Sequence, residues 1–214
     1  MSTQPETRPV LIITADDYGY APGYNRGILE VANAGAVDAV SVMVGRRGCE
    51  PGPLLESGVE VGLHLELPGE RPEAQLERFQ RLFGHPPGFL DGHHHCHARG
   101  AAAAEIARMA AARRLPVRSV NPEHRDLLRS LGVATPDRLI GRLRASEPEL
   151  PALLAGRDPV PAGVTEWMVH PGYPDARSGS SYDVAREHDL NLLLRVRLGQ
   201  AERRTHAEAL GGPR

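Results

Sequence analysis

"PVLIITADD", residues 9–17, is a short apolar run rich in β-branched side chains that ends in two carboxylates. This pattern is typical of a strand that is buried on both faces of a parallel sheet. The next stretch, "YNRGILEVANAG" (24–35), has apolar residues at helical spacing and a glycine where a helix would end. A buried strand followed by such a helix predicts the first strand–helix unit of an α/β fold.

The same alternation continues along most of the chain. Further strands are predicted in "AVDAVSVMVG" (36–45), "GVEVGLHLEL" (58–67), "PGFLDGHHHCH" (87–97), "PVRSVN" (116–121) and "GVTEWMVHPG" (163–172). Helices are predicted in "RPEAQLERFQRLFG" (71–84), "AAAAEIARMAAARR" (101–114), "PEHRDLLRSLG" (122–132), "PDRLIGRLRA" (136–145) and "SYDVAREHDLNLLLRVRLG" (181–199). Strands alternating with helices predict parallel strands in an α/β fold.

Length and composition narrow the choice of protein class. The 214 residues suit a single catalytic domain, 1–214, with a core at about 8–198 and a polar tail, 199–214, that we expect to be loosely ordered. A net charge of −2 gives no electrostatic reason to expect nucleic acid or an anionic membrane as partner. No signal peptide or membrane-spanning run is recognisable, and two distant cysteines suggest no disulfide framework. We therefore expect a soluble, cytoplasmic protein.

Chemically active side chains follow four of the apolar segments. The first segment ends in Asp16 and Asp17, and the third carries His64 near its end. The fourth runs into Asp91 and a histidine cluster, and the last ends at His170 in "HPG". Because the carboxyl ends of parallel strands meet at one edge of a sheet, these side chains are expected to converge.

The converging residues match the needs of a divalent metal site. A catalytic site typically takes three protein ligands, and Asp17, His64 and one cluster histidine would form such a set. His93 lies nearest the strand end and is the best single choice. In strand geometry His95 and His97 would share its face, lining the pocket or supporting the ligands from behind.

The two adjacent acids suit a division of labour, with one binding the metal and the other acting as general base on its water. Neighbouring residues of a strand point to opposite sides, so the chain must turn for both to reach the site, and residues 18–20 can supply that turn. Taken singly, each motif also has an ordinary explanation, such as a turn, a core histidine or a solvated loop. Their arrangement at successive strand ends favours the metal site.

Five motifs in this order resemble the YdjC-like carbohydrate deacetylase family: "TADDYG" (14–19), "GLHLEL" (62–67), "DGHHHCH" (91–97), "TPDRLIG" (135–141) and "HPGY" (170–173). The family includes chitooligosaccharide deacetylases and a deacetylase of hopanoid synthesis, and the resemblance covers Leu11 to about Leu194. It implies a (β/α) barrel-like fold that removes acetyl groups from N-acetylated sugars with one divalent metal ion. A short segment before "DGHHHCH" and the missing final strand indicate a barrel that is distorted or incompletely closed.

The resemblance also implies roles for individual residues. Asp17, His64 and His93 correspond to the metal ligands. Family descriptions favour magnesium, whereas two imidazoles favour zinc, cobalt or manganese, so the metal is taken as magnesium or zinc. Asp16 corresponds to the catalytic base and His170 to the catalytic acid. Arg118, in "PVR", is expected to orient a carboxylate.

Other functions remain open at this point. A metal-dependent phosphoesterase also uses Asp and His at strand ends, but it usually requires a second metal. A glycosidase would pair Asp16 with Glu66 or Glu166, which leaves the histidines unexplained. A non-catalytic sugar- or metal-binding module is the third alternative. The expected partner is an N-acetylated sugar or oligosaccharide, and a homodimer is left open.

Overall fold

The computed structural model describes residues 9–141, 162–196 and 202–211. Strands and helices alternate through these ranges, and none of the helices has the length and apolarity needed to cross a bilayer. The strands are β1 (Val10–Tyr18), β2 (Ala39–Val42), β3 (Glu60–Leu65), β4 (Leu90–Gly92), β5 (Arg138–Ile140), β6 (Val164–Val169) and β7 (Glu202–Arg203). The helices are α1 (Pro22–Asn33), α2 (Pro51–Ser57), α3 (Pro72–Phe83), α4 (Gly100–Arg113), α5 (Pro122–Ser130), α6 (Ala185–Arg195) and α7 (His206–Leu210).

The strands form one parallel sheet in the order β4-β3-β2-β1-β6-β5, and β7 pairs with the start of β1. The sheet curls into an open half-barrel with helices packed on its outside. Strand β1 is central, and every residue after Val10 in it is buried, as the apolar run at its start predicts. The expected α/β, barrel-like fold with parallel strands is confirmed.

Helix boundaries follow local sequence rules. Helices α1, α2, α3 and α5 each have proline in the first turn, where its missing N–H is no loss. Asn121 caps α5 by accepting a hydrogen bond from the backbone N–H of His124. Gly84 ends α3 with a φ of 77°, a conformation that glycine adopts without steric cost.

Two predictions between residues 116 and 145 were wrong. "PVRSVN" forms only an isolated bridge, between Val117 and Leu90. "PDRLIG" is not helical, because Arg138–Ile140 pairs with β6 as strand β5; residues 142–145 of the same prediction lie outside the described residues. Pairing with a neighbouring buried strand overrides the weak helical pattern of this short segment.

The tail is better ordered than its polar sequence suggests. Over residues 202–211 it forms β7 and then α7, whose start is fixed by a capping box between Thr205 and Glu208. His206, at the start of α7, is fully buried. Backbone pairing and this single buried anchor order the segment, so the expectation of a loose tail was wrong there. Residues 199–201 and 212–214 lie outside the described residues.

We call the amino end of the strands the lower end of the half-barrel and the carboxyl end its upper end. Phe89 fills the lower end and packs directly against Gly62 of β3. A Cβ atom at position 62 would lie 2.3 Å from the Phe89 ring, so Gly62→Ala is expected to lower the free energy of unfolding by about 1–3 kcal/mol.

Chemical denaturation of Gly62→Ala beside Gly52→Ala tests this expectation. Gly52 lies in α2, and apart from its chain neighbours no atom lies within 4 Å of the added Cβ, so alanine there should change the free energy of unfolding by no more than about 1 kcal/mol. Equal unfolding midpoints for the two variants would show that the lower end is loosely packed.

Candidate active site

A cavity of about 550 Å³ opens at the upper end of the half-barrel, where the sequence predicts the polar residues to converge. Six of the eight predicted site residues line it: Asp16, Asp17, His64, His93, His95 and His170. The other two, His97 and Arg118, are buried behind its wall.

Asp17 lies at the centre of this group. Its φ of 76° and a break in the register between β1 and β2 let both Asp16 and Asp17 face the cavity, so the turn begins at Asp17 itself rather than after it. The Oδ1 atom of Asp17 is 3.0 Å from His93 Nδ1 and 3.3 Å from His64 Nε2. One ligand atom from each of these three residues lies within 4.8 Å of the other two.

The histidine cluster is folded differently from the alternating strand that we predicted. Residues His93–Ala98 form a 3₁₀ turn in which His94 and His95 have positive φ values of 51° and 57°. This left-handed pair breaks the expected alternation, so His94 lines the cavity together with His93 and His95. His97 instead turns inward, and its Nε2 lies 3.0 Å from the Arg118 carbonyl oxygen.

His64 is oriented from behind by a carboxylate. Its Nδ1 lies 2.8 Å from Asp91 Oδ1, which also accepts a hydrogen bond from Ser41 Oγ. In the neutral form that a bound cation would require, the proton stays on Nδ1 and the Nε2 lone pair faces the space between Asp17 and His93. Burial disfavours the charged imidazole, but Asp91 and Asp17 outweigh it and raise the pKa of His64 well above its usual value. A carboxylate behind the outer nitrogen is the usual support of a metal-binding histidine.

Arg118 lies beneath the cavity, between three buried carboxylates. It forms a two-pronged pair with Asp16, at 2.6 Å and 2.9 Å, and contacts Asp91 at 2.8 Å and Glu166 at 2.8 Å. Burial raises the pKa of Asp16, and Arg118 opposes that rise. Burial also disfavours ionised Glu166, but Arg118 and His206 reverse this and lower its pKa to about 2. Arg118 therefore contacts all three carboxylates and pairs with both oxygens of Asp16.

Arg186, in α6, is a site residue that the sequence did not reveal. It is buried in the cavity wall and donates a hydrogen bond to Asp17 Oδ2, the oxygen that faces away from the histidines. Its guanidinium also lies 3.7 Å from the centre of the Tyr24 ring. Asp17 therefore has one oxygen held by Arg186 and the other left facing His64 and His93.

The donor set fits a divalent cation. Four buried carboxylates, of Asp16, Asp17, Asp91 and Glu166, surround two buried guanidinium groups, of Arg118 and Arg186. The charged imidazole of His206 offsets a fifth carboxylate, that of Glu60. Once His64 gives up its proton, as a metal ligand must, two negative charges remain uncompensated. Burial disfavours ionised Asp17, yet hydrogen bonds from His64 and His93 hold its pKa well below the usual value. A divalent cation among these three side chains would neutralise the excess charge.

His170 lies just beyond β6, half-buried in the cavity wall. Its ring centre is 5.1 Å from that of Tyr182, and its backbone N–H donates to Asp189 Oδ2 at 2.9 Å. Burial lowers the pKa of its imidazole, although the charges of Asp17 and Asp16 oppose this. A lowered pKa makes the protonated form of His170 a stronger acid.

The side chains of His95 and His97 are both held in the neutral form. Burial lowers the pKa of His95 to about 4 and that of His97 to about 3. His95 faces the cavity, whereas His97 holds the backbone of Arg118 in place.

The contacts of the other buried or paired carboxylates argue against the glycosidase and the two-metal phosphoesterase. Glu66 is paired with Arg46, and Glu166 is buried under Arg118, so neither is placed to act with Asp16 on a glycosidic bond. A second metal, as in many phosphoesterases, would need the group formed by Asp16, His64 and Asp91. Among the described residues that group is already bridged by Arg118, whose positive charge takes the place of a cation there.

The fold and site define an α/β half-barrel protein with a cluster of Asp and His residues at its strand ends, and sequence comparison assigns the family. The model of the YdjC-like protein family matches residues 10–73 and 69–204, so the chain belongs to that family.

Two relatives support this assignment, and a solved structure shares the fold. A carbohydrate deacetylase of Geobacillus stearothermophilus is 30% identical over 85% of this chain and 88% of its own length. A chitooligosaccharide deacetylase of Serratia marcescens is 27% identical over 78% of this chain and 83% of its own. An Enterococcus faecalis V583 structure, provisionally described as a cellobiose-phosphate cleavage protein, superposes with a TM-score of 0.71 at 23% identity over 88% of this chain and 91% of its own, which shows the shared fold.

Proposed function

We propose that this protein is a metal-dependent carbohydrate deacetylase that hydrolyses the acetamide group of an N-acetylated sugar. The observation that carries the proposal is the grouping of Asp17, His64 and His93 beside Asp16 in one cavity. The names of the two relatives, carbohydrate deacetylase and chitooligosaccharide deacetylase, support the same reaction class.

Asp17, His64 and His93 are the residues that would hold the cation. Two imidazoles and one carboxylate are the donor set of many catalytic zinc sites, whereas magnesium prefers oxygen ligands. When bound, the cation supplies Lewis acidity, which makes water more acidic and the acetyl carbonyl more electrophilic. Arg186 keeps Asp17 in one orientation, and Asp91 does the same for His64.

Asp16 is the base in this proposal. It is fully buried at the cavity wall, and the pair with Arg118 fixes its carboxylate plane. Burial makes it more basic than an exposed aspartate, because its pKa is raised. It takes the proton of the attacking water as the C–O bond forms at the acetyl carbon.

His170 is the acid in this proposal. An amine leaves only when its nitrogen is protonated, so a donor is needed on the leaving side as the C–N bond breaks. His170 lines the same cavity as Asp16, and its weakly basic imidazole gives up a proton readily. His95, whose Nδ1 has no hydrogen-bond partner among the described residues, is placed to contact the sugar.

An assay for acetate tests the function. We expect the protein to release acetate from N-acetylglucosamine or from short N-acetylated oligosaccharides, to lose this activity with a chelator, and to regain it with added zinc or magnesium. The Asp17→Asn variant should lose bound metal and acetate release together, with metal affinity reduced at least about 10²-fold. His85→Ala, at an exposed histidine, is the matched control and should change neither.

Release of phosphate or of a reducing sugar instead of acetate would contradict the proposal. So would acetate release that is unaffected by complete metal removal, or an Asp17→Asn variant that keeps its metal and its rate.

A further inference from the structure

His206 of α7 lies inside the lower end of the half-barrel, far along the chain from the other buried charges. Its Nδ1 is 2.9 Å from Glu60 Oε2, and the backbone N–H groups of His206 and Ala207 also donate to the Glu60 carboxylate, at 2.8 Å and 2.9 Å. Its ring stacks on Phe89, with centres 3.8 Å apart and planes 15° apart. The C-terminal segment thus places one imidazole at a fixed point in the interior.

The other ring nitrogen of His206 faces the charged cluster under the cavity. Its Nε2 is 3.4 Å from Glu166 Oε1, which is the distance of a close ion pair rather than of a hydrogen bond. The same oxygen accepts a hydrogen bond from Arg118 Nε at 2.9 Å and lies 2.8 Å from Arg118 Nη2. Because Arg118 also pairs with Asp16, a continuous chain of contacts runs from His206 through Glu166 and Arg118 to Asp16.

Charge explains why a histidine in this position matters. Arg118 is shared by Asp16, Asp91 and Glu166, so one positive charge serves three carboxylates. Burial disfavours charged His206, yet Glu166 and Glu60 outweigh it and raise its pKa to about 9. Near neutral pH His206 therefore supplies a second positive charge next to Glu166.

We propose that His206 is a positioning residue for the deacetylation: by sharing the charge of Glu166, it leaves the Arg118 guanidinium free to hold Asp16 through both carboxylate oxygens. Without His206, Glu166 draws Arg118 towards the lower end and loosens its two-pronged pair with Asp16. The inference rests on the proposed function, because it assigns His206 a role in preparing the base of that reaction.

A purely structural role for His206 makes different predictions. If His206 only fills the lower end of the half-barrel, its substitution lowers the free energy of unfolding. The kcat and KM of the molecules that remain folded are then unchanged. A positioning role lowers kcat and leaves KM unchanged, because the base acts on the water and not on the bound sugar.

The test is a set of variants of the metal-loaded, full-length chain. His206→Phe keeps the ring that packs on Phe89 and removes both nitrogens, and it is expected to lower kcat about 10-fold with unchanged KM. Glu202→Ala is the control, because it removes a carboxylate of the same C-terminal segment that pairs with Arg204 at the surface, and it keeps the capping box that holds His206 at the start of α7. It should leave kcat and KM unchanged.

A second substitution at position 166 separates the two roles. If His206 acts by sharing the charge of Glu166, the double variant His206→Phe/Glu166→Gln should recover most of the lost kcat, since the uncompensated charge is gone. A folded His206→Phe variant with wild-type kcat, or a double variant no faster than His206→Phe alone, would overturn the proposal. If His206→Phe does not fold, the comparison is made between Glu166→Gln and the double variant, whose kcat values should be equal; a lower value for the double variant would also overturn it.

A measurement without substrate keeps this test distinct from that of the function. The Arg118 Nε–H group donates to Glu166 in the interior, so its ¹⁵N–¹H NMR signal should exchange slowly with water. We expect the signal to shift and its exchange to accelerate in His206→Phe but not in Glu202→Ala. If wild-type protein releases no acetate, the proposed function fails, and an Arg118 signal unchanged in His206→Phe would by itself refute the inference.

Discussion

Asp16→Asn is expected to keep its bound metal and to release acetate about 10²–10⁴ times more slowly than the wild-type protein, which is the usual contribution of a positioned base. The reason is geometric. The Oδ1 atom of Asp17 faces His64 and His93, whereas both oxygens of Asp16 pair with Arg118 at 2.6 Å and 2.9 Å. Asparagine at position 16 keeps the shape of the side chain but cannot accept a proton.

Bound metal and acetate release should be measured on the same samples under the same metal supply. Asp126→Asn, at an exposed carboxylate on α5, is the control and should match the wild-type protein in both measurements. The outcome that reverses the roles is loss of metal in Asp16→Asn with retention in Asp17→Asn. Near wild-type rates in both variants would mean that the two acids serve only the structure.

Arg118→Met is expected to destabilise the protein by about 3–5 kcal/mol, because removing one partner of a buried ion pair leaves uncompensated charge. Three buried carboxylates, those of Asp16, Asp91 and Glu166, depend on this guanidinium. Methionine has a similar length and no charge, so the change isolates the loss of the cation. A loss of this size is a large part of the stability of a typical domain, about 5–15 kcal/mol.

Urea unfolding of Arg118→Met and Arg129→Met gives the comparison. Arg129 pairs with Asp137 at the surface, where an ion pair contributes about 0–1 kcal/mol, so its loss should scarcely move the midpoint. If both variants unfold at the wild-type midpoint, the buried carboxylates hold protons instead of sharing one cation.

The sequence is informative about this site because of a geometric rule for parallel sheets. Asp17, His64 and His93 lie at the carboxyl ends of three different strands, and parallel strands bring these ends to one edge. Reading the apolar runs and the residues that follow them was therefore enough to predict that the three would meet. The prediction needed no knowledge of how the helices pack on the outside.

The supporting charges follow no such rule. Arg118 and Asp16 are 102 positions apart, and Arg186 and Asp17 are 169 apart, so no local pattern connects them. The sequence has 25 arginines and no lysine, so a single functional arginine does not stand out among them. The left-handed backbone at His94 and His95 was missed for another reason: non-glycine residues seldom adopt it, and the surrounding fold imposes it.

The buried position of His206 has a consequence for synthesis of the protein. Chains emerge from the ribosome amino end first, and their early parts begin to fold during translation. Strands β1 to β6, with Asp16 and Arg118, are then available before residues 202–211 exist. Glu60 and Glu166 can contact the His206 imidazole only after residues 202–211 have emerged. A nascent chain stalled before residue 206 would therefore carry the cavity and its acids but not the complete set of charges beneath them.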